Sequence, residues 1–288
     1  MPEKKVLNKN KLIVVASIAP YHDFAKQIGK DRIEAYLIIP SGESPHTFNP
    51  RPSQQKLIAK ADLLIINGLG LEYWLDKMVD AAENKNLVVL KAAEGFPIIT
   101  DLHHNHEHLN ETTHEEKENK HKHDMGNPHL WLNPVYAISI VDKIKDTLKE
   151  ADPVNGSFYS SNAEAYKLKL KELDKEIREK AKKWQTKDFI TFHPSFEYFA
   201  REYGLNQVAV IEEIPGKEPT PRELKEIIDK VKKTKAKAIF AEPQFPAAIV
   251  KSIADETGIR VATLNPLPEN YLEGMKENLR QLEKALGE

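Results

Sequence analysis

Eight short apolar, β-branched runs recur along the chain: "LIVVAS", "IEAYLII", "LLIIN" and "LVVL" in the first half, then "DFITF", "QVAVIE", "KAIFA" and "RVATL" in the second. Segments of helical periodicity separate them, which is the alternation of parallel α/β sheets. Between the fourth and fifth runs, Tyr159, Ala163, Tyr166, Leu170, Leu173, Ile177 and Trp184 recur in steps of four and three, with one skipped beat near Ala181. This predicts one amphipathic helix from Ser157 to Trp184, about 40 Å long at 1.5 Å per residue. A barrel of eight strands would not place such a helix at its midpoint. The expected fold is therefore α/β, with two four-stranded parallel-sheet lobes joined by one long rigid spine helix and a cleft between the lobes. The expected division is residues 1–156, with a His-rich loop at 101–127, then the linking helix 157–184, then residues 185–288.

Other helix starts are well marked. "TPRE" puts Thr220 at an N-cap, Pro221 in the first turn and Glu223 where a capping box needs it, and Asn133 and Pro134 do the same in "NPVY". The segment from Asp101 to Asn127 has no apolar periodicity and is rich in His, Glu, Asn and Lys. It is expected to be a solvated loop, and a loop of this length inside an α/β domain is commonly functional or disordered.

Composition narrows the chemistry. Lys plus Arg is 42 against 44 for Asp plus Glu, a net charge of -2. There is no broad basic field to suit nucleic acid or an anionic membrane. Cysteine is absent, so any metal site falls to histidine, carboxylate or amide oxygen. The apolar run Leu12 to Ala19 is too short to span a bilayer and is read as a buried strand, because Pro20 and a helical segment follow at once. If the protein is exported, its targeting segment is expected to have been removed from this chain.

Eight of the eleven histidines lie between His103 and His129. His46 in "IIPSGESPHTFNP", His129 in "GNPHLWLNP" and His193 in "FITFHPSFEYF" each fall on a loop at the end of a strand or the start of a helix, beside a proline. A lone loop histidine is most often a surface or capping residue, and His22 in "APYHDF" is read that way. Loops at the carboxyl ends of strands nevertheless gather in the cleft of such folds, so three imidazoles can converge there as neutral nitrogen donors suited to zinc. Their wide spacing forms no local motif.

Taken together, "SGESPHTFNPRPSQ", "GNPHLWLNP", "FHPSFEYFAREYGL", "GKEPTPRELKEII" and "AIFAEPQFP" resemble the metal-binding solute-binding proteins of zinc and manganese ABC importers, in the same order and across nearly the whole chain. The resemblance implies two α/β lobes, a spine helix and one divalent metal ion held in the cleft for delivery to a membrane permease, outside the cytoplasm. It implies metal-ligand roles for His46, His129 and His193, and histidine at the third position points to Zn2+ rather than Mn2+. Many relatives carry aspartate in a stretch resembling "TLNPL", where this chain has Asn265. The fourth ligand is thus left among Asn265, Glu43 and a water, with Glu242 as a candidate partner orienting an imidazole.

The histidines His103, His104, His106, His108, His114, His121 and His123 are expected to serve the site by catching zinc weakly and raising its local concentration. The alternative is an insert with no transport role. Metal affinity is expected to fall below about pH 6.5, as imidazoles protonate. A zinc hydrolase is the first competing function, opposed by the lack of an HExxH helix. A metal-stabilised surface adhesin is the second, and a manganese carrier is a variant of the main reading. Lipid anchoring is left open, and a monomer is the expected state.

Overall fold

The structure is a computed structural model that describes residues 11–100, 126–234 and 236–287. The eight apolar runs form eight strands. β1 (Leu12–Ala16), β2 (Ile33–Leu37), β3 (Leu63–Ile66) and β4 (Val88–Lys91) make one sheet in the order β2-β1-β3-β4; β5 (Asp188–Thr191), β6 (Asn206–Val210), β7 (Ala238–Ala241) and β8 (Arg260–Thr263) make a second in the order β6-β5-β7-β8. Every pairing is parallel. Central parallel strands are covered on both faces, which is why they read as continuous apolar runs; all four residues of β3 are buried. The two-lobed α/β class expected from the pattern is the one observed.

Each sheet changes direction at its second strand, since β1 and β5 each lie between the strand that follows them and the strand after that. Chain connections leave to opposite sides there, and a crevice opens beyond the carboxyl ends. Helices α1 (Ala19–Gly29), α2 (Pro52–Lys60) and α3 (Leu75–Ala82) belong to the first lobe, and α4 (Pro134–Ala151) follows the segment not described. Asn133 caps α4 by accepting from Val135 N at 2.9 Å.

The spine helix, α5, runs Gly156–Ala181. It ends three residues short of Trp184, at the skipped beat: Lys183 N donates to Lys180 O in a tighter turn, and Gln185 N donates to Leu286 O. Trp184 stays buried without being helical, so apolar periodicity overran the true end. Burial of Leu170, Leu173 and Ile177 on this helix stabilises it by about 1.5–3 kcal/mol for each side chain.

In the second lobe α6 (Glu197–Tyr203), α7 (Pro221–Lys233) and α8 (Ala248–Thr257) follow, and Thr220 and Glu223 form the reciprocal capping box on α7. Strand alternation divides the core. Phe189, Ala238 and Phe240 face the large core that contains the spine, while Ile190, Phe192 and Ile239 face Val231, Val250 and Ile253. The last helix, α9 (Tyr271–Leu286), crosses back to the first lobe: Tyr271 N donates to Asp23 Oδ2 at 3.0 Å and its ring meets Phe24 at 4.8 Å. Trp131 Nε1 donates to Pro266 O and Tyr271 Oη to Trp131 O, both at 2.7 Å. One apolar core thus spans the lobes. No helix among the described residues is long and apolar enough to cross a membrane.

Candidate metal centre

Strand register brings the cleft residues together. Ile38 and Ile39 extend the β2 ladder by donating to Ala16 O and Ser17 O; the loop that follows carries His46. On the other side, Thr191 pairs with Phe240, and Phe192 N donates to Phe240 O at 3.0 Å. Continuing that register sets His193 level with Glu242. His193 is followed by a 3-10 turn, Pro194–Phe196, and α6 begins only after it. His129 precedes a second 3-10 turn, Leu130–Leu132, whose three residues are fully buried and anchor it.

The three rings meet. His129 Nε2 lies 3.1 Å from His46 Nε2 and 3.1 Å from His193 Nε2, and one nitrogen from each ring falls within 4.8 Å of the others. Two nitrogens bound tetrahedrally to one zinc at about 2.05 Å would stand about 3.3 Å apart, close to this spacing. His129 and His193 are buried and His46 is half-buried. The cavity between them measures about 10 Å³ and is lined also by Ser44, Gln244, Phe245 and Leu267. That is room for an ion or one water, and for no organic molecule.

The far side of each buried imidazole decides its tautomer. Asn127 Oδ1, an acceptor, lies 2.8 Å from His129 Nδ1 and also accepts from His129 N at 3.0 Å. Asn127 is itself oriented, because its Nδ2 donates to Pro194 O at 2.7 Å and to Glu197 Oε2 at 3.1 Å. Glu242 Oε2 lies 2.7 Å from His193 Nδ1, while its Oε1 accepts from His193 N and Ser195 Oγ, each at 3.2 Å. Both Nδ1 atoms face acceptors, so in the neutral rings the proton sits on Nδ1 and the lone pair of each Nε2 turns on the cavity. Two lone pairs 3.1 Å apart repel, and a cation between them turns repulsion into coordination.

Charge acts the same way. Burial, and then the neighbouring His193 and His46, hold His129 well below the ordinary imidazole range, so it is neutral and ready to donate. Burial raises the carboxyl of Glu212, whose backbone N donates to Phe192 O at 2.7 Å beside the site.

The remaining candidates are placed as follows. Glu43 is exposed and does not line the cavity. Asn265 does not line the cavity, and its Oδ1 accepts from Gln244 Nε2 and Leu267 N at 3.0 Å each. His22 sits on α1 with Nε2 3.3 Å from Ala35 O, apart from the three. His103, His104, His106, His108, His114, His121 and His123 lie outside the described residues. Asn127 and Gln244 were not singled out from sequence. An Asn two residues before a candidate ligand was a readable signal for the first, whereas nothing local marked the second.

A profile of the family described as zinc-uptake complex component A, periplasmic, matches residues 14–285. The chain is 32% identical over 285 residues to the zinc-binding lipoprotein AdcA of Streptococcus pneumoniae, covering 96% of this chain and 56% of that protein; it therefore spans little more than half the length of that relative. It is 33% identical to the high-affinity zinc uptake system protein ZnuA of Bacillus subtilis, covering 96% of this chain and 88% of the relative. A crystal structure of ZnuA superposes with a TM-score of 0.82 at 30% identity, covering 96% of this chain and 99% of the other. With a match that runs from the first strand to the last helix, the chain belongs to the ZnuA family of zinc-uptake components.

Proposed function

We propose that this chain captures a zinc ion between His46, His129 and His193, outside the cytoplasm, and delivers it to an ABC-type membrane permease. The observation that carries this is the pair of Nε2 atoms 3.1 Å apart, with Nδ1 of each ring against an acceptor, Asn127 Oδ1 at 2.8 Å and Glu242 Oε2 at 2.7 Å. An all-imidazole set favours zinc over manganese, whose hard ion prefers oxygen. The names of the related zinc uptake proteins support the same cargo. A hydrolase needs space for a substrate beside its metal, and a cavity of about 10 Å³ has none.

The segment carrying His103 to His123 acts as a feeder. Its two feet stand at the site: Ile99 N donates to Tyr198 Oη at 3.0 Å, Tyr198 Oη donates to Asn127 O at 2.8 Å, and Asn127 N donates to Ile99 O at 2.8 Å. Zinc caught anywhere on the segment is thereby confined close to His129, which raises its effective concentration there. The carrier acts as a monomer.

Competitive zinc and manganese titration of the whole chain, of His193→Ala and of a deletion from His103 to His123 tests the reading. One tight zinc site should survive the deletion and disappear in His193→Ala. A tight site that follows the deleted segment would refute it. Metal-dependent binding to a permease, rather than to matrix proteins, separates the carrier from an adhesin.

A further inference from the structure

We infer that the side-chain oxygen of Gln244 is the fourth donor to the cargo ion, an assignment that rests on the three-histidine reading above. Three imidazoles leave a tetrahedral zinc one position short. The nearby acids do not line the cavity: Glu242 serves His193 and Ser195, Glu212 Oε2 accepts from Gly216 N at 3.0 Å, and Glu43 is exposed. Among the described residues that line the cavity, the buried side-chain polar atoms with no hydrogen-bond partner are Ser44 Oγ, His193 Nδ1 and Gln244 Oε1, and His193 Nδ1 stands 2.7 Å from the Glu242 carboxylate. The serine hydroxyl keeps its proton at neutral pH and is a poor ligand, whereas a carboxamide oxygen offers two lone pairs and carries partial negative charge.

The orientation of the amide follows from its neighbours. Leu267 N can only donate, so the Asn265 atom 3.0 Å from it is Oδ1. The Gln244 atom 3.0 Å from that same oxygen must then be the Nε2 donor, which leaves Oε1 on the opposite side of the amide. Asn265 is in turn held by Asn278, which accepts from Asn265 N at 2.8 Å and donates to Asn265 O at 2.9 Å. A neutral residue at 265 is thus a positioning residue for Gln244 rather than a ligand. The ion keeps its full double charge among four neutral donors, which holds it less firmly than a set with a carboxylate and suits a carrier that must let go.

The test uses the whole chain as wild type, Gln244→Ala, Gln244→Glu and His193→Ala. Zinc affinity is read by chelator competition, and Co2+ is used as a spectroscopic probe of coordination through its visible d–d bands. Gln244→Ala should weaken the tight zinc site by at least about 10-fold and change the Co2+ bands. The nearly isosteric Gln244→Glu should tighten zinc by a similar factor and slow its release to the chelator. If Gln244→Ala keeps its affinity within about twofold with unchanged bands, while His193→Ala loses the site, Gln244 is not a donor and the three-histidine reading stands. If His193→Ala keeps the tight site, both fall together.

Discussion

Replacing Glu242 by glutamine changes one atom and should disable the site. The glutamine oxygen would keep the two bonds that Glu242 Oε1 accepts from His193 N and Ser195 Oγ. Its NH2 group would then stand where Oε2 lies 2.7 Å from His193 Nδ1. A donor there makes Nδ1 the acceptor and moves the imidazole proton to Nε2, the atom that must bind zinc. Restoring the binding tautomer requires turning the amide over, which leaves the buried His193 N without an acceptor, at a cost of about 1–3 kcal/mol. That corresponds to a loss of about 5- to 150-fold in zinc affinity, which brackets the roughly 10- to 100-fold typical when partners of metal-bound histidines are removed. The assay is chelator competition at pH 7.5, with thermal unfolding of the metal-free and zinc-loaded forms. The metal-free midpoint should change little, and the rise on adding zinc should shrink as affinity falls. Zinc affinity within twofold of wild type would refute the argument that Glu242 sets the His193 tautomer.

Three further outcomes follow from the same structure. Because burial holds His129 below its unfolded value of about 6.5, the unfolded chain binds more protons as pH drops; metal-free stability should fall below that pH by up to about 1.4 kcal/mol per unit from this group, and urea midpoints of His129→Asn should show a shallower slope. Gly126→Ala should destabilise by about 1–3 kcal/mol in chemical denaturation, since Gly126 has φ +81° and a Cβ there would meet Ile98 Cγ2 at 2.3 Å and Ile99 O at 2.8 Å; an unchanged midpoint would show that this turn relaxes freely. Deleting His103 to His123 should leave the equilibrium constant of the tight site intact and slow zinc uptake at limiting concentration, as stopped-flow measurement would reveal.

The strands were legible because buried parallel strands impose unbroken β-branched runs, as in Leu63–Ile66. The end of the spine was not, because Trp184 is buried by packing after the helix has stopped, and periodicity reports burial rather than hydrogen bonding. The three histidines were legible as loop residues beside prolines, and their meeting was not: 83 residues separate His46 from His129 and 64 separate His129 from His193. The pairing of His193 with Glu242 depends on β5 lying beside β7 rather than only beside β6, a sheet order that no local pattern encodes. Asn265 drew attention by its place in the chain, yet its amide is spent on Gln244 and Leu267.

The proposed function puts tight zinc binding in the cleft and not on the histidine-rich segment. Anomalous diffraction at the zinc edge, from crystals of the whole chain with one equivalent of zinc, separates the two. A single strong peak should stand about 2.0–2.1 Å from Nε2 of His46, His129 and His193. A peak on the segment from His103 to His123, with nothing between these three nitrogens, would contradict it.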